Sequence, residues 1–235
     1  MIHTYLGETL HFEIKYKNRA SFNILIDGYG NIEVQAPKKT PDEKVIRLLE
    51  ANWEPIVSKV KEVKERLQGP QEKVYENEES FLYLGESYPI EIIENMNITK
   101  DYVVFEKEKL FVHVKQLDDE KIKQSLQRFY YQQCKTLVEK SISNYQSHFK
   151  TKPRSIRITD SKSNWGTCDA QLRLTFNWRL AMAPPEVIDY VVIHEMCHMV
   201  HLNHDRSFWR LVGKIMPDYK EKERWLELSN WRMTV

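Results

Sequence analysis

Residues 194 to 198 read His-Glu-Met-Cys-His, a pattern whose residue types and spacing suit a metal site. On an α-helix, positions four apart are rotated by only about 40° around the axis, so His194 and His198 project from one face. Their imidazoles are expected to share one ion, and nitrogen ligands suit zinc. Glu195 follows the first histidine, where its carboxylate reaches a water on the ion without being a ligand. The spacing therefore predicts Zn²⁺ with Glu195 as a general base.

A catalytic zinc usually takes three protein ligands, so two histidines leave the site incomplete. His204 is the predicted third ligand if the helix ends near His201 and Asn203 adopts the left-handed conformation that turns the chain back. His201 is the rival, since it also lies towards the metal side of the helix. Ligands on three consecutive turns of a straight helix converge poorly on one ion, which favours His204. Cys197 points about 100° away from His198 and is not expected to bind the same ion.

The composition is that of an ordinary globular protein, with 41% hydrophobic and 29% charged residues in a chain of 235. A formal net charge of +1 argues against a domain built mainly to hold nucleic acid, which usually needs a strong basic excess. The sequence shows neither a secretory signal nor an apolar run long enough for a membrane helix. Cys134, Cys168 and Cys197 lack disulfide spacing. We therefore expect a cytoplasmic protein with free thiols and no membrane partner, its oligomeric state left open.

The elements of the first half are predicted to be mainly strands. Apolar and polar residues alternate over Thr9–Tyr16, which is typical of a half-buried strand. A turn cluster at residues 27–31 predicts a hairpin between Phe22–Ile26 and Ile32–Gln35. A helical pattern follows, interrupted near Pro55 and closed at residues 68–70. Four further apolar runs are predicted to form antiparallel strands: Phe81–Leu84, Ile90–Ile93, Tyr102–Phe105 and Leu110–Val114.

The second half is predicted to position the metal motif. A long helix is expected over residues 119–149, which contain no Gly or Pro and carry an apolar stripe. The strands Ile156–Thr159 and Leu172–Phe176 follow, and a helix opening near Ala183 carries the two histidines. If Leu172–Phe176 lies at the edge of its sheet beside that helix, its free backbone groups are available to pair with an extended peptide.

Taken together, these motifs resemble the YgjP-like metallopeptidase family, whose relatives include the SprT-like and WLM zinc proteases. The resemblance is sharpest from Ile156 to Trp209. It implies a zincin-like catalytic domain in which a strand edge runs beside the active-site helix, and it does not supply a substrate. The motifs that carry it are His194-Glu195-x-x-His198, His204-Asp205-x-Ser207-x-Trp209, Ser161 to Cys168, and Asn177-Trp178-Arg179-Leu180.

We therefore predict an α+β protein. An N-terminal antiparallel β-rich region with helices, residues 1–118, is expected to pack on a C-terminal zincin-like α/β metallopeptidase domain, residues 119–235. The predicted activity is zinc-dependent hydrolysis of a peptide or protein substrate. The alternatives are a DNA-associated SprT-like protease or zinc-bearing binding module, and a non-proteolytic zinc hydrolase. Acidic and basic residues interleave over Met216–Trp231, which indicates a solvated face rather than a phosphate-binding stripe.

Supporting roles around the predicted metal are less constrained by the pattern. Stabilising the oxyanion needs a further donor, for which Lys162, His201 and Tyr219 are candidates. Asp205 and Asp218 are candidates for orienting the second nitrogen of a ligand histidine. Trp165 and Trp178 are expected either to pack in the core or to form the base of a side-chain pocket. Asn177 and Arg179 are expected either to bind substrate or to have structural roles, as a helix cap and in a salt bridge.

Overall fold

The computed structural model describes residues 1–27, 30–68, 73–161 and 163–235. Part of the predicted turn at 27–31, part of the predicted helix end at 68–70 and the candidate Lys162 lie outside these ranges. The chain divides into two compact units, Met1–Gln71 and Glu72–Val235. The second unit begins earlier than the predicted region at residue 119, because the strands up to Val114 share one hydrophobic core with the helix after them. The predicted α+β class is confirmed.

The first unit contains a four-stranded sheet and two helices. Its elements are β1 (Ile2–Tyr5), β2 (Glu8–Lys17), β3 (Asn23–Ile26), β4 (Ile32–Pro37), α1 (Asp42–Ala51) and α2 (Trp53–Gln68). The strand order is β1-β2-β4-β3, in which β3 and β4 form the predicted antiparallel hairpin and β2 and β4 run parallel. The helices separate at Asn52, so the predicted interruption near Pro55 is confirmed. Val34, Val45 and Leu49 are fully buried between sheet and helices.

The second unit begins with another four-stranded sheet. Its strands are β5 (Ser80–Tyr83), β6 (Glu86–Glu94), β7 (Tyr102–Glu106) and β8 (Lys109–Val114). The order is β5-β6-β8-β7, and β6 pairs parallel with β8 while the other pairs are antiparallel. The prediction that all four strands pair in antiparallel fashion is therefore wrong for this central pair. β8 returns between β6 and the edge strand β7, where it pairs antiparallel with β7 and therefore runs in the same direction as β6.

One long helix connects this sheet to the part of the chain that carries the metal motif. α3 (Asp119–Tyr145) has 27 residues and is followed by a short 3-10 helix, Gln146–His148. Asp118 caps its N-terminus by accepting a hydrogen bond from the Lys121 amide at 2.9 Å. Its predicted apolar stripe lies in the core, where Leu126 and Tyr130 are fully buried.

The metal motif lies beside a small three-stranded sheet. The remaining elements are β9 (Ser155–Thr159), β10 (Gly166–Cys168), β11 (Arg173–Asn177), a 3-10 helix (Trp178–Met182), α4 (Pro185–His198), α5 (Arg206–Ile215), α6 (Tyr219–Ser229) and a last 3-10 helix (Asn230–Arg232). The strand order is β10-β11-β9, with β10 and β11 antiparallel and β11 and β9 parallel. No helix in the described part of the chain combines the length and apolar character of a membrane span.

The strand beside α4 is β10, not the strand that the sequence pattern favours. The prediction that Leu172–Phe176 lies at a sheet edge is wrong, because β11 pairs with β9 on one side and β10 on the other. Leu174 and Phe176 are fully buried, as expected for a central strand. Edge and central strands show the same alternation of side chains in the sequence. The order of strands in a sheet depends on which strands pair, and the local sequence does not determine that pairing.

Candidate metal centre

Three histidine side chains converge at the C-terminal end of α4. The Nε2 atoms of His194 and His198 lie 2.9 and 3.1 Å from Nε2 of His204. One nitrogen from each ring lies within 4.8 Å of the others, a grouping that could hold one metal ion. The rings of His194 and His198 are half-buried, whereas that of His204 is exposed. The three predicted ligands are thus brought together by the fold.

A tight turn after α4 brings His204 back to the other two histidines. The helix ends at His198, and the amides of Val200 and His201 both donate to the Cys197 carbonyl at 3.0 and 2.9 Å. α5 then begins with Asp205 as its N-cap, which fixes the residue before it. The expectation that a left-handed Asn203 makes this turn is wrong, since the described residues with positive φ lie elsewhere.

His201 takes part through its backbone rather than its ring. Nδ1 of His198 lies 3.0 Å from the His201 carbonyl oxygen. A carbonyl only accepts hydrogen bonds, so this nitrogen carries the proton and Nε2 of His198 is left as an acceptor facing the other two rings. Such a contact fixes the tautomer and orientation of a ligand histidine. The His201 imidazole is not part of the converging group.

The donor set fits a bound cation. Burial, together with the neighbouring His198 and His204, lowers the pKa of His194 to about 3. Burial also lowers the pKa of His198. Both rings are therefore neutral at neutral pH, which is the form that binds a metal. Three nitrogen donors facing one point match the preferences of zinc.

The two aspartates predicted to orient a ligand histidine are engaged elsewhere. Asp205 accepts hydrogen bonds from the amides of Ser207 and Phe208 at 2.8 and 2.9 Å, as the cap of α5. Asp218 pairs with Lys222 on α6. The ring of His198 is instead oriented by the main-chain carbonyl of His201.

An aromatic residue absent from the sequence-based site packs under all three rings. Phe208, at the start of α5, is fully buried. Its ring centroid lies 4.9 Å from that of His194, 4.5 Å from that of His198 and 4.8 Å from that of His204. Trp209 stacks on the ring of His204 at 5.7 Å. These contacts limit how far the imidazoles can rotate. His204 precedes the N-cap of α5, so helical spacing provides no sequence signal for this contact.

The carboxyl group of Glu195 lies against the backbone of β10. Glu195 is only 5% exposed, and burial raises its pKa to about 8. A Cβ atom added at Gly166 would lie 2.6 Å from Glu195 Cγ and 2.7 Å from Oε1. Only glycine therefore allows this approach of strand to carboxyl group. A carboxyl group with a pKa near neutrality is suited to accept and return a proton.

The histidines and Glu195 line an open cleft of about 630 Å³. One wall consists of Ser163 to Cys168, including Trp165 and the edge strand β10. The opposite wall consists of residues from α6 and just after it, which the sequence did not indicate as part of the site: Glu223, Leu226, Glu227 and Asn230. Of the oxyanion candidates, neither His201 nor Tyr219 lines this cleft.

The backbone of β10 presents hydrogen-bonding groups on its free side. The Asn177 amide donates to the Trp165 carbonyl at 2.9 Å, and the Asp169 amide donates to the Arg173 carbonyl at 3.2 Å. Because hydrogen-bonded pairs alternate along an antiparallel ladder, Thr167 also bonds to β11. Gly166 and Cys168 flank Thr167 on either side. Their amides and carbonyls therefore point away from β11.

The loop before β10 is held in place by side chains that do not line the cleft. Asn177 accepts from the Arg179 amide at 3.1 Å and donates to the Ser161 carbonyl at 2.8 Å. Arg179 forms a salt bridge with Asp160 and lies 4.3 Å over the ring of Trp178. Trp178 is 1% exposed. For these residues the capping, ion-pair and core interpretations are confirmed, whereas Trp165 lines the cleft.

Comparison with known families identifies the class of protein. A family model described as YgjP-like, metallopeptidase domain matches residues 20–229. The chain belongs to the YgjP-like metallopeptidase family. The predicted resemblance is therefore confirmed, and membership makes the protein a metallopeptidase that acts on peptide or protein substrates with a metal ion.

One solved structure is similar to part of this YgjP-like chain. It is the crystal structure of the metallopeptidase zymogen of Pyrococcus abyssi abylysin, with 24% identity and a TM-score of 0.36. The match covers 43% of this chain and 99% of that one. No curated protein matches the chain.

Proposed function

We propose that this protein is a zinc-dependent metallopeptidase in which His194, His198 and His204 bind the ion and Glu195 is the general base. The observation that carries this proposal is the convergence of three histidine nitrogens next to a buried carboxyl group in an open cleft. Nitrogen donors without a thiolate favour a catalytic zinc over a structural one, which is usually cysteine-rich.

The residues of the site suit hydrolysis of an amide bond. When bound, zinc supplies Lewis-acid chemistry, lowering the pKa of a water molecule towards about 7 and polarising the scissile carbonyl. Glu195 accepts a proton as the water oxygen bonds to the carbonyl carbon. It returns that proton to the amine nitrogen as the C–N bond breaks, so the carboxyl group ends unchanged. The position of Glu195 supports this role, because its carboxyl group is shielded from bulk water and lines the same cleft as the three histidines.

The free side of β10 is the proposed docking edge for the substrate backbone. An extended peptide lying along this edge would exchange hydrogen bonds with the main chain of Gly166 and Cys168, the strand-addition mode of recognition. The scissile carbonyl would then pass the carboxyl group of Glu195, which contacts the same strand. This places the docking edge one strand away from the position predicted from sequence.

The three free thiols fit a reducing compartment such as the cytoplasm, and so extend the proposal to localisation. The carboxylates of Glu223 and Glu227 in the cleft argue against the DNA-associated alternative for this site, because they repel phosphate.

The decisive experiment combines metal analysis with peptide-library digestion, using Glu195→Gln as the matched control. We expect about one zinc per chain in both proteins, and turnover at least 100-fold lower in the variant, because a positioned general base is worth about 10²–10⁴ in rate. Equal cleavage by the two proteins would mean that a contaminating or unrelated activity is responsible. Zinc binding with no cleavage of any peptide in the library would favour the non-proteolytic hydrolase.

A further inference from the structure

One wall of the cleft is acidic, and the proposed hydrolysis does not use it. Glu223 and Glu227 lie four residues apart on α6 and therefore on one face of the helix. Both line the cleft that contains His194 and Glu195, as does Asn230 one turn further on. The acidic and basic residues that alternate along this helix in sequence are thus separated in space, with carboxylates on the face towards the cleft.

The fold gives neither carboxylate a counter-charge. Glu223 Oε1 accepts a hydrogen bond of 3.4 Å from the hydroxyl of Tyr190, a neutral donor. Lys222, the adjacent cation on α6, pairs with Asp218 instead. Across the described ranges of the chain, no salt bridge involves Glu223 or Glu227. Like charges four residues apart on a helix repel, so this pair does not serve the stability of α6. A cationic group between them would remove that repulsion.

Apolar residues lie beside the two carboxylates in the same cleft. Leu226 is between them in sequence and 6% exposed, and Val191 on α4 is 4% exposed. Lysine and arginine side chains place their methylene stems along apolar surface while keeping the charged end among polar groups. A cleft lining that combines apolar residues with two carboxylates therefore suits the chemistry of a basic side chain.

We propose that this wall is a subsite for a lysine or arginine side chain of the substrate, with Glu223 and Glu227 as specificity-determining residues. The inference rests on the proposed peptidase function and adds the class of substrate to it. Ammonium and guanidinium groups donate charge-assisted hydrogen bonds to carboxylates, and Tyr190 holds one of the two acceptors in place. Acidic side chains at the same position are repelled, which adds discrimination against them.

The test uses quenched-fluorescence peptides that differ at one position, carrying lysine, arginine, glutamine or glutamate. One set of these peptides is acetylated at the amino terminus, and a second set with the same sequences has a free amino terminus. We expect kcat/KM at least tenfold higher for acetylated lysine or arginine peptides than for the glutamine peptide, and lower still for glutamate. The double variant Glu223→Gln/Glu227→Gln should bring lysine and glutamine peptides to within about twofold of each other, without loss of zinc.

Glu221→Gln is the matched control, since its side chain on the same helix is 79% exposed and does not line the cleft. It should keep the full preference. Efficient cleavage by the unmodified protein with no preference for basic peptides would overturn the subsite and leave the peptidase proposal standing. A preference confined to peptides with a free amino terminus would overturn it in favour of an amine subsite. Failure to cleave any peptide would overturn the peptidase proposal itself. Affinity for the peptides measured on the zinc-loaded Glu195→Gln variant should show the same order as kcat/KM.

Discussion

Gly166 and Glu195 are in such close contact that the proposed general base is positioned by the absence of a side chain on the neighbouring strand. A Cβ atom at residue 166 would lie under 3.0 Å from three side-chain atoms of Glu195. The strand that presents its edge to the cleft therefore also sets the place of the carboxyl group. This coupling means that a change in β10 reaches the chemistry without touching the metal.

The Gly166→Ala variant should keep its zinc and lose at least tenfold in kcat. The added methyl group must displace the Glu195 carboxyl group, and a misplaced base forfeits part of its rate contribution of about 10²–10⁴. Steady-state kinetics and metal analysis provide the measurement. Gly213→Ala on α5 is the control, because its Cβ would make only an ordinary contact of 3.5 Å with Tyr219. Unchanged kcat in Gly166→Ala would contradict the assigned position of the base.

The His204→Ala variant should lose zinc under conditions in which His201→Ala retains it. Removing a ligand should weaken binding by more than the roughly 10–100-fold typical of outer-shell changes. His201→Ala removes only a ring outside the converging group and leaves the carbonyl that contacts His198. Stoichiometry after dialysis and competition with a chelator measure both. The opposite result, zinc retained in His204→Ala and lost in His201→Ala, would show that His201 is the third ligand.

Cys168→Pro should weaken peptide cleavage while Cys168→Ala does not. Proline removes the amide that points to the free side of β10, whereas alanine keeps it. Since that amide does not bond to β11, the sheet should persist, and zinc content and thermal unfolding check that it does. We expect at least a tenfold fall in kcat/KM. If a folded, zinc-loaded Cys168→Pro protein cleaves as fast as Cys168→Ala, the edge of β10 is not where the substrate backbone pairs.

The three thiols should react slowly with an aromatic disulfide reagent in the native protein at pH 7.5. Burial raises the pKa of Cys134 and Cys197 to about 12, and burial followed by the charges of Glu195 and Asp169 raises that of Cys168 to about 11. A higher pKa leaves less thiolate, which is the reactive form. Cys168, which is partly exposed, should be labelled first, and all three should react rapidly in denaturant. Labelling of Cys134 as fast as Cys168 in the folded protein would contradict the burial described here.

Local sequence was enough to predict the parts of the site that follow from helical geometry. The four-residue spacing of His194 and His198 puts both side chains on one face of a helix. Ligands on three consecutive turns of one helix converge poorly on one ion, so the third ligand was predicted to be His204 rather than His201. The long helix α3 and the β3–β4 hairpin could be predicted for the same reason, since each depends on periodicity within a short segment.

The remaining features depend on which segments of the chain pack against each other in the folded protein. The periodicity of apolar residues in the sequence does not indicate such contacts. The central position of β11, the parallel pairing of β6 with β8 and the glutamates of α6 in the cleft all result from tertiary packing. The turn to His204 was predicted with the wrong residue conformation, because hydrogen bonds to the Cys197 carbonyl close it without a left-handed residue. Phe208 was overlooked because a single aromatic residue on an amphipathic helix usually indicates core.

The contact between His198 and the main chain at residue 201 also bears on how this region can change over evolutionary time. A carbonyl oxygen is supplied by every amino acid, so random drift at position 201 leaves the orientation of His198 intact, and only proline would remove the amide that bonds to Cys197. The side chain there is consequently free to be selected for other properties, such as solubility or contact with a partner. An alignment-based search for functional positions would pass over residue 201 even though its backbone holds the site in place.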